Sequence, residues 1–205
     1  MGDHNFRHKT MKCFTILLLL FSLLLTGCSK VPTNAELGWE EDWYRAGELL
    51  GVEPLDGFEL NESGDILSVN GVYYDTWVSG NEREYVNSDG KTSKIYDAQI
   101  YLLTELCRSE ELAEEEAASW IAREKLSYET EDISSAEYNG VRFELLPLLS
   151  SGEDNPYTHG VSAFASHGAW AICVEFLCSE SFEGEPHEII GQFLNGLHYT
   201  VDSKQ

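Results

Sequence analysis

Past residue 28, the side chains equipped for acid–base or covalent chemistry are few: His159, His167, His187 and His198, with Cys107, Cys173 and Cys178. The nearest approach to a nucleophile, base and acid in one stretch is His159 with Ser162 three residues on and Glu153 and Asp154 upstream. No Gly-x-Ser-x-Gly elbow surrounds Ser162, and a triad is defined by geometry rather than by closeness in sequence. His167 falls in a turn, His187 in the first turn of a helical pattern and His198 at a helix end, all ordinary places for a structural or solvated imidazole. No Cys-x-x-Cys or paired His spacing marks a metal site, and no glycine-rich loop marks a phosphate. Asn87-Ser88-Asp89-Gly90 fails as a calcium loop, because that frame puts Tyr85 where a carboxylate is needed. The expectation is therefore no enzyme, no catalytic residue, no metal and no cofactor.

Chemistry of another kind is written at Leu25-Thr26-Gly27-Cys28. Phe14 to Leu25 is apolar except for Thr15 and Ser22, and Arg7, Lys9 and Lys12 precede it. At 1.5 Å per residue so short a run does not comfortably cross about 30 Å of hydrocarbon, and small residues follow it where a processing enzyme must fit. Residues 11–28 resemble a bacterial lipoprotein signal. The resemblance implies cleavage between Gly27 and Cys28, transfer of a diacylglycerol to the Cys28 thiol and acylation of its freed amino group. At about 0.8 kcal/mol per buried CH₂, two such chains hold a protein at a membrane permanently. The expected location is the outer face of the bacterial cytoplasmic membrane, or the outer membrane in a cell that has one. Either Met1 or Met11 serves as the start, the second giving the tighter signal.

The net charge of the chain is −23, and loss of residues 1–27 removes three of the 13 Lys and Arg but only one of the 36 Asp and Glu. So acidic a body is repelled by phosphate backbones and anionic headgroups, which disfavours nucleic acid and favours neutral or cationic partners. Another envelope protein is the expected partner. Cys107 and Cys178 each close an apolar strand pattern, which permits a disulfide if those strands lie side by side and parallel. Otherwise the three thiols serve as small buried hydrophobes. Glu175 is the one acid in an apolar strand. It reads first as a solvated edge residue and otherwise as a buried acid with a raised pKa. Tyr73 and Trp77 share one face of a hairpin, where they form either core or an exposed platform for sugar rings.

The elements that position these residues follow from periodicity. Thr33 and Glu36 form a capping box, and Trp39, Trp43, Ala46 and Leu50 recur at helical spacing up to Gly51, predicting a helix from Thr33 to Leu50. Asp65–Val69, Asn70-Gly71 and Val72–Val78 predict a β-hairpin, and short strands follow at Arg83–Val86 and Thr92–Tyr96. Asp97–Leu106 is apolar on both sides and predicts a central strand. Ser109 caps a helix striped by Leu112, Ala113, Ala117, Trp120 and Ile121, with Glu114 to Glu116 on its solvated face. A polar link over Asp132–Glu137 leads to a strand from Val141 to Leu146 ended by Pro147, then a loop over Ser150–Asn155. Gly160–Ser166 and Ala169–Cys178 form a second hairpin, and a last helix opened by Pro186 carries Ile189, Ile190, Phe193, Leu194 and Leu197. This order predicts an α+β sandwich, a largely antiparallel sheet with helices packed against it.

In its Gly-turned strands (Asn139-Gly140, His167-Gly168), its long strand Ala169-Trp170-Ala171-Ile172 and its closing Phe193-Leu194-Asn195-Gly196-Leu197, the chain resembles the PsbP-like family over residues 52–200. The resemblance implies a non-enzymatic accessory, binding or scaffolding domain. The expected organisation is a signal peptide (1–27), a tether (28–32) and one extracytoplasmic domain (33–205). Its expected role is binding or scaffolding of another envelope component, the alternative being a carbohydrate or small-ligand module built on Tyr73 and Trp77.

Overall fold

The computed structural model describes residues 32–46, 50–67, 71–149 and 155–200. Gly27, Cys28, Asn70 and the loop segment 150–154, with Glu153 and Asp154, lie outside the described residues. In chain order the elements are α1 (Asn34–Leu37), β1 (Tyr44–Ala46), β2 (Leu50–Val52), β3 (Glu59–Leu67), β4 (Val72–Ser79), β5 (Arg83–Val86), β6 (Thr92–Ile95), β7 (Ala98–Leu106), α2 (Glu110–Ser127), β8 (Glu129–Thr130), β9 (Ser134–Tyr138), β10 (Val141–Leu149), β11 (His159–His167), β12 (Trp170–Cys178), α3 (Pro186–Asn195) and β13 (Leu197–Tyr199).

One antiparallel sheet, ordered β3-β4-β7-β12-β11-β10-β8 with β9 also on β10, carries the fold. Strands β7 and β12 run antiparallel along their whole lengths, Trp170 opposite Leu106 and Cys178 opposite Ala98. Alternation then sorts their side chains. Ile100, Leu102, Ile172, Val174 and Phe176 join one core with Ile190, Phe193 and Leu194 of α3. Cys173, Ala171 and Leu177 join the other core with Ala113 and Trp120 of α2. A three-stranded sheet, β1-β2-β13, shares the α3 side, and the β5-β6 ribbon shares the α2 side through Ile95. The architecture is α+β, a mostly antiparallel sheet with helices against both faces.

The first helix is shorter than its spacing predicts. The capping box at Thr33 is present: its hydroxyl accepts from the Glu36 N–H at 3.3 Å, and the Glu36 carboxylate accepts from the Thr33 N–H at 2.7 Å. Gly38 then adopts φ +75° and closes the helix after one turn. Ala46 and Leu50 instead face each other across β1–β2, so their four-residue spacing reports a hairpin rather than a helix. Trp39 lies flat on Gly51, where an added Cβ would stand 2.9 Å from the indole.

Two further differences concern β10. The polar link over Asp132–Glu137 contains β9, paired with β10 through a two-residue turn in which Asn139 (φ +46°) and Gly140 (φ +80°) both take left-handed conformations. Strand β10 also does not end at Pro147. The Pro147 carbonyl accepts from the Glu131 N–H, so its backbone faces the outer side where β10 exchanges β9 for β8, and no donor is needed there. At the C-terminal end Leu197 belongs to β13 and not to the closing helix, although it remains fully buried.

Candidate functional site

The end of the main sheet that holds the start of β12 and the finish of β7 is left open between the sheet and the three-stranded layer. The gap is a cavity of about 900 Å³. Its walls include Trp39, Leu50, Val141, Trp170, Ile172 and Tyr199, and its rim includes His167 and His198. The rim is built by stacking: Trp43 lies on His198 with ring centres 3.9 Å apart, and His167 meets Tyr199 at 4.7 Å. His198 Nε2 is 2.6 Å from Glu53 Oε1, and the Asn139 side-chain amide donates to the Leu197 carbonyl at 2.6 Å, tying the β9–β10 turn to β13. Trp170 leans on Tyr73 with ring centres 6.3 Å apart.

Two hydroxyls differ from everything else in that wall. Thr104, on β7 between Tyr73 of β4 and Ile172 of β12, is 2% exposed, and its Oγ1 has no hydrogen-bond partner among the described residues. The Tyr199 hydroxyl is also buried and without a partner among them, and burial raises its pKa. Leaving a hydroxyl both desolvated and unpaired costs about 1–3 kcal/mol. Among the described residues that line the cavity there is no Asp, Glu, Lys or Arg, although the chain as a whole is strongly acidic.

The opposite face of the sheet, under α2, holds acids. Glu175 of β12 sits between Ser162 of β11 and Tyr101 of β7, under α2. Burial, and next the Glu124 carboxylate on α2, push its pKa up to about 8. Burial likewise raises Glu124, whose Oε2 has no partner among the described residues. The edge reading of Glu175 is thereby corrected, since β12 is paired on both sides and the acid is partly buried within the sheet.

Those strands also decide the cysteines. Because β7 and β12 are antiparallel rather than parallel, Cys107 stands beside Ala169 and Cys178 opposite Ala98, at opposite ends of the pair. A disulfide between them would have to span the strand length of roughly 25 Å; both are free, as is Cys173. Burial raises all three thiols, Cys178 to about 12. Trp77 is 1% exposed, packed edge-on to Phe193 with ring centres 5.0 Å apart, so it offers no exposed stacking face, and the half-buried Tyr73 cannot form the platform with it. His159 and Ser162 lie three apart on β11 and so point to opposite faces, and the Thr158 hydroxyl contacts the imidazole. Among the described residues, no three His, Cys, Asp or Glu converge to hold a metal, and no helix is long and apolar enough to cross a membrane.

No family model matches the chain, and no curated protein matches it. Among solved structures it is similar to the solution structure of cyanobacterial PsbP (CyanoP) from Synechocystis sp. PCC 6803, at 8% identity and a TM-score of 0.37, covering 71% of this chain and 94% of that one. The residues gathered above stand on their own geometry.

Sequence reasoning missed Thr104 and Tyr199. Neither residue belongs to a motif, and a threonine in an apolar strand reads as a neutral choice. The signal, visible only in the fold, is a polar atom buried beside empty space.

Proposed function

We propose that the protein is a membrane-tethered, non-catalytic lipoprotein whose single folded domain binds another component of the cell envelope. The observation that carries this reading is Cys28, set behind a short apolar run and a basic leader and followed within a few residues by the first capped turn at Thr33. A domain attached there needs no spanning helix of its own. The raised thiols support a role without covalent chemistry, because a thiol held protonated is a poor nucleophile. The open cavity at the sheet end, rather than the Tyr73 and Trp77 hairpin, is where the domain offers a binding surface.

The test is metabolic labelling with a fatty-acid probe. The wild-type protein takes up label and fractionates with membranes, whereas Cys28→Ser loses the label and keeps its melting temperature. Label retained by the substituted protein excludes Cys28 as the anchor.

A further inference from the structure

We propose that the cavity at the sheet end is a binding site for an uncharged, flat-ringed carbonyl compound, with Thr104 and Tyr199 as the hydroxyls that recognise its oxygens. This rests on reading the domain as a binding module.

The size is right, since ligand sites enclose roughly 300–1,000 Å³ and this one about 900 Å³. Among the described residues the lining holds no Asp, Glu, Lys or Arg, and its two imidazoles are already engaged, His198 with Glu53 and His167 with Tyr199, which selects against an ion of either sign. A charged ligand would lose its hydration without gaining a counter-charge. Indoles at Trp39 and Trp170 and the phenol at Tyr199 supply flat apolar faces, which favour a flat ring over a bulky aliphatic one. The remaining observation is the pair of unpartnered hydroxyls. A buried threonine hydroxyl with no partner persists against an isosteric valine only at a cost in stability, and here Thr104 is one of the residues that line the cavity, where a turn about its Cα–Cβ bond brings the hydroxyl to a ligand. Both groups can donate, and the phenol keeps its proton because burial disfavours phenolate. An acceptor such as a carbonyl oxygen satisfies them. With Cys28 anchored, Trp39 lies at most about 40 Å of extended chain from the bilayer surface, the compartment in which such compounds concentrate.

The experiment is calorimetric titration of the folded domain with 2,3-dimethyl-1,4-naphthoquinone, whose ring positions are blocked against thiol addition, alongside 2,3-dimethylnaphthalene, which keeps the shape and lacks both carbonyls. The expected result is saturable one-to-one binding of the quinone, about tenfold tighter than the hydrocarbon. Thr104→Val should raise the quinone Kd about tenfold, leave the hydrocarbon Kd unchanged and raise the melting temperature, because valine removes the unpaired hydroxyl. Tyr199→Phe should act in the same direction on the quinone alone. The proposal is overturned by the absence of saturable quinone binding up to its solubility limit, by a quinone Kd that Thr104→Val does not change, or by a melting temperature that falls with affinity. None of these results bears on the anchoring of Cys28, which the labelling experiment decides separately.

Discussion

Both faces of the main sheet bury polar groups, Asp75 with Thr104 on the α3 side and Ser162 beside Glu175 on the α2 side, and the faces differ in what stands next to those groups. On the α3 side Thr104 and Tyr199, whose hydroxyls are buried without a partner among the described residues, line a cavity, and no acid is among the described residues of its lining. On the α2 side, Glu175 lies under the helix near Cys173 and Tyr101 and faces Glu124 of the helix itself. An unpaired hydroxyl beside a cavity is satisfied when something enters. A carboxyl under a helix is satisfied by keeping its proton. The first arrangement suits binding, and the second makes stability depend on pH.

The largest effect should come from the packed part of the α3 side, where Phe193 is 2% exposed and meets Trp77. Phe193→Ala should cost about 3–5 kcal/mol by urea unfolding, because truncating a buried ring leaves a cavity. A loss below about 1 kcal/mol would show that α3 does not cover this face.

The α2 side predicts a pH dependence of definite sign. An unfolded glutamate ionises near 4.3, whereas Glu175 in the fold ionises near 8. Between those values the folded chain holds a proton that the unfolded chain has lost, so stability falls as pH rises through the window. Glu175→Gln should remove much of that slope and raise stability at pH 8 by on the order of a few kcal/mol. Glu124 is also raised by burial, and its carboxylate adds to the rise of Glu175. Stability that rises with pH across the window in the wild type, or an unchanged slope in the variant, would contradict a buried Glu175.

A smaller effect belongs to Asp97, at the start of β7. Its carboxylate accepts from the Asn81 N–H and the Ser181 hydroxyl, both at 2.9 Å, and these bonds hold its pKa below the ordinary carboxylate value. Its contribution is present above that ordinary value and fades as pH falls through the depressed one. Asp97→Ala should cost about 1–2 kcal/mol at neutral pH, measured by the same unfolding series. The smallest effect is expected from reductant. With Cys107, Cys173 and Cys178 free, dithiothreitol should leave the melting temperature unchanged, and a drop would mean that a disulfide exists.

Much of the scaffold was legible in the chain. The alternation in Ala169–Cys178 named both faces of β12, and Ser109 and Pro186 marked the two long helices at their observed starts. What misled was local pattern where a single glycine overrode it. Trp39, Trp43, Ala46 and Leu50 keep helical spacing, yet Gly38 takes a left-handed turn and the segment continues as strand. The disulfide and the edge position of Glu175 both depended on strand order and direction, which periodicity does not encode. The site was the least legible part, because Thr104 and Tyr199 come from strands far apart in sequence and matter through what they fail to touch.

The central claim is that ligand enters on the α3 side and not under α2. Three of the five tryptophans report on it directly, since Trp39 and Trp170 line the cavity while Trp120, 6% exposed, lies under α2. The measurement is the indole ¹H–¹⁵N spectrum, assigned by single Trp→Phe variants, during titration with 2,3-dimethyl-1,4-naphthoquinone. The account predicts that the Trp39 and Trp170 signals move along saturating curves with a common Kd while Trp120 stays fixed; movement of Trp120 with fixed Trp39 and Trp170, or no movement at all, would contradict it.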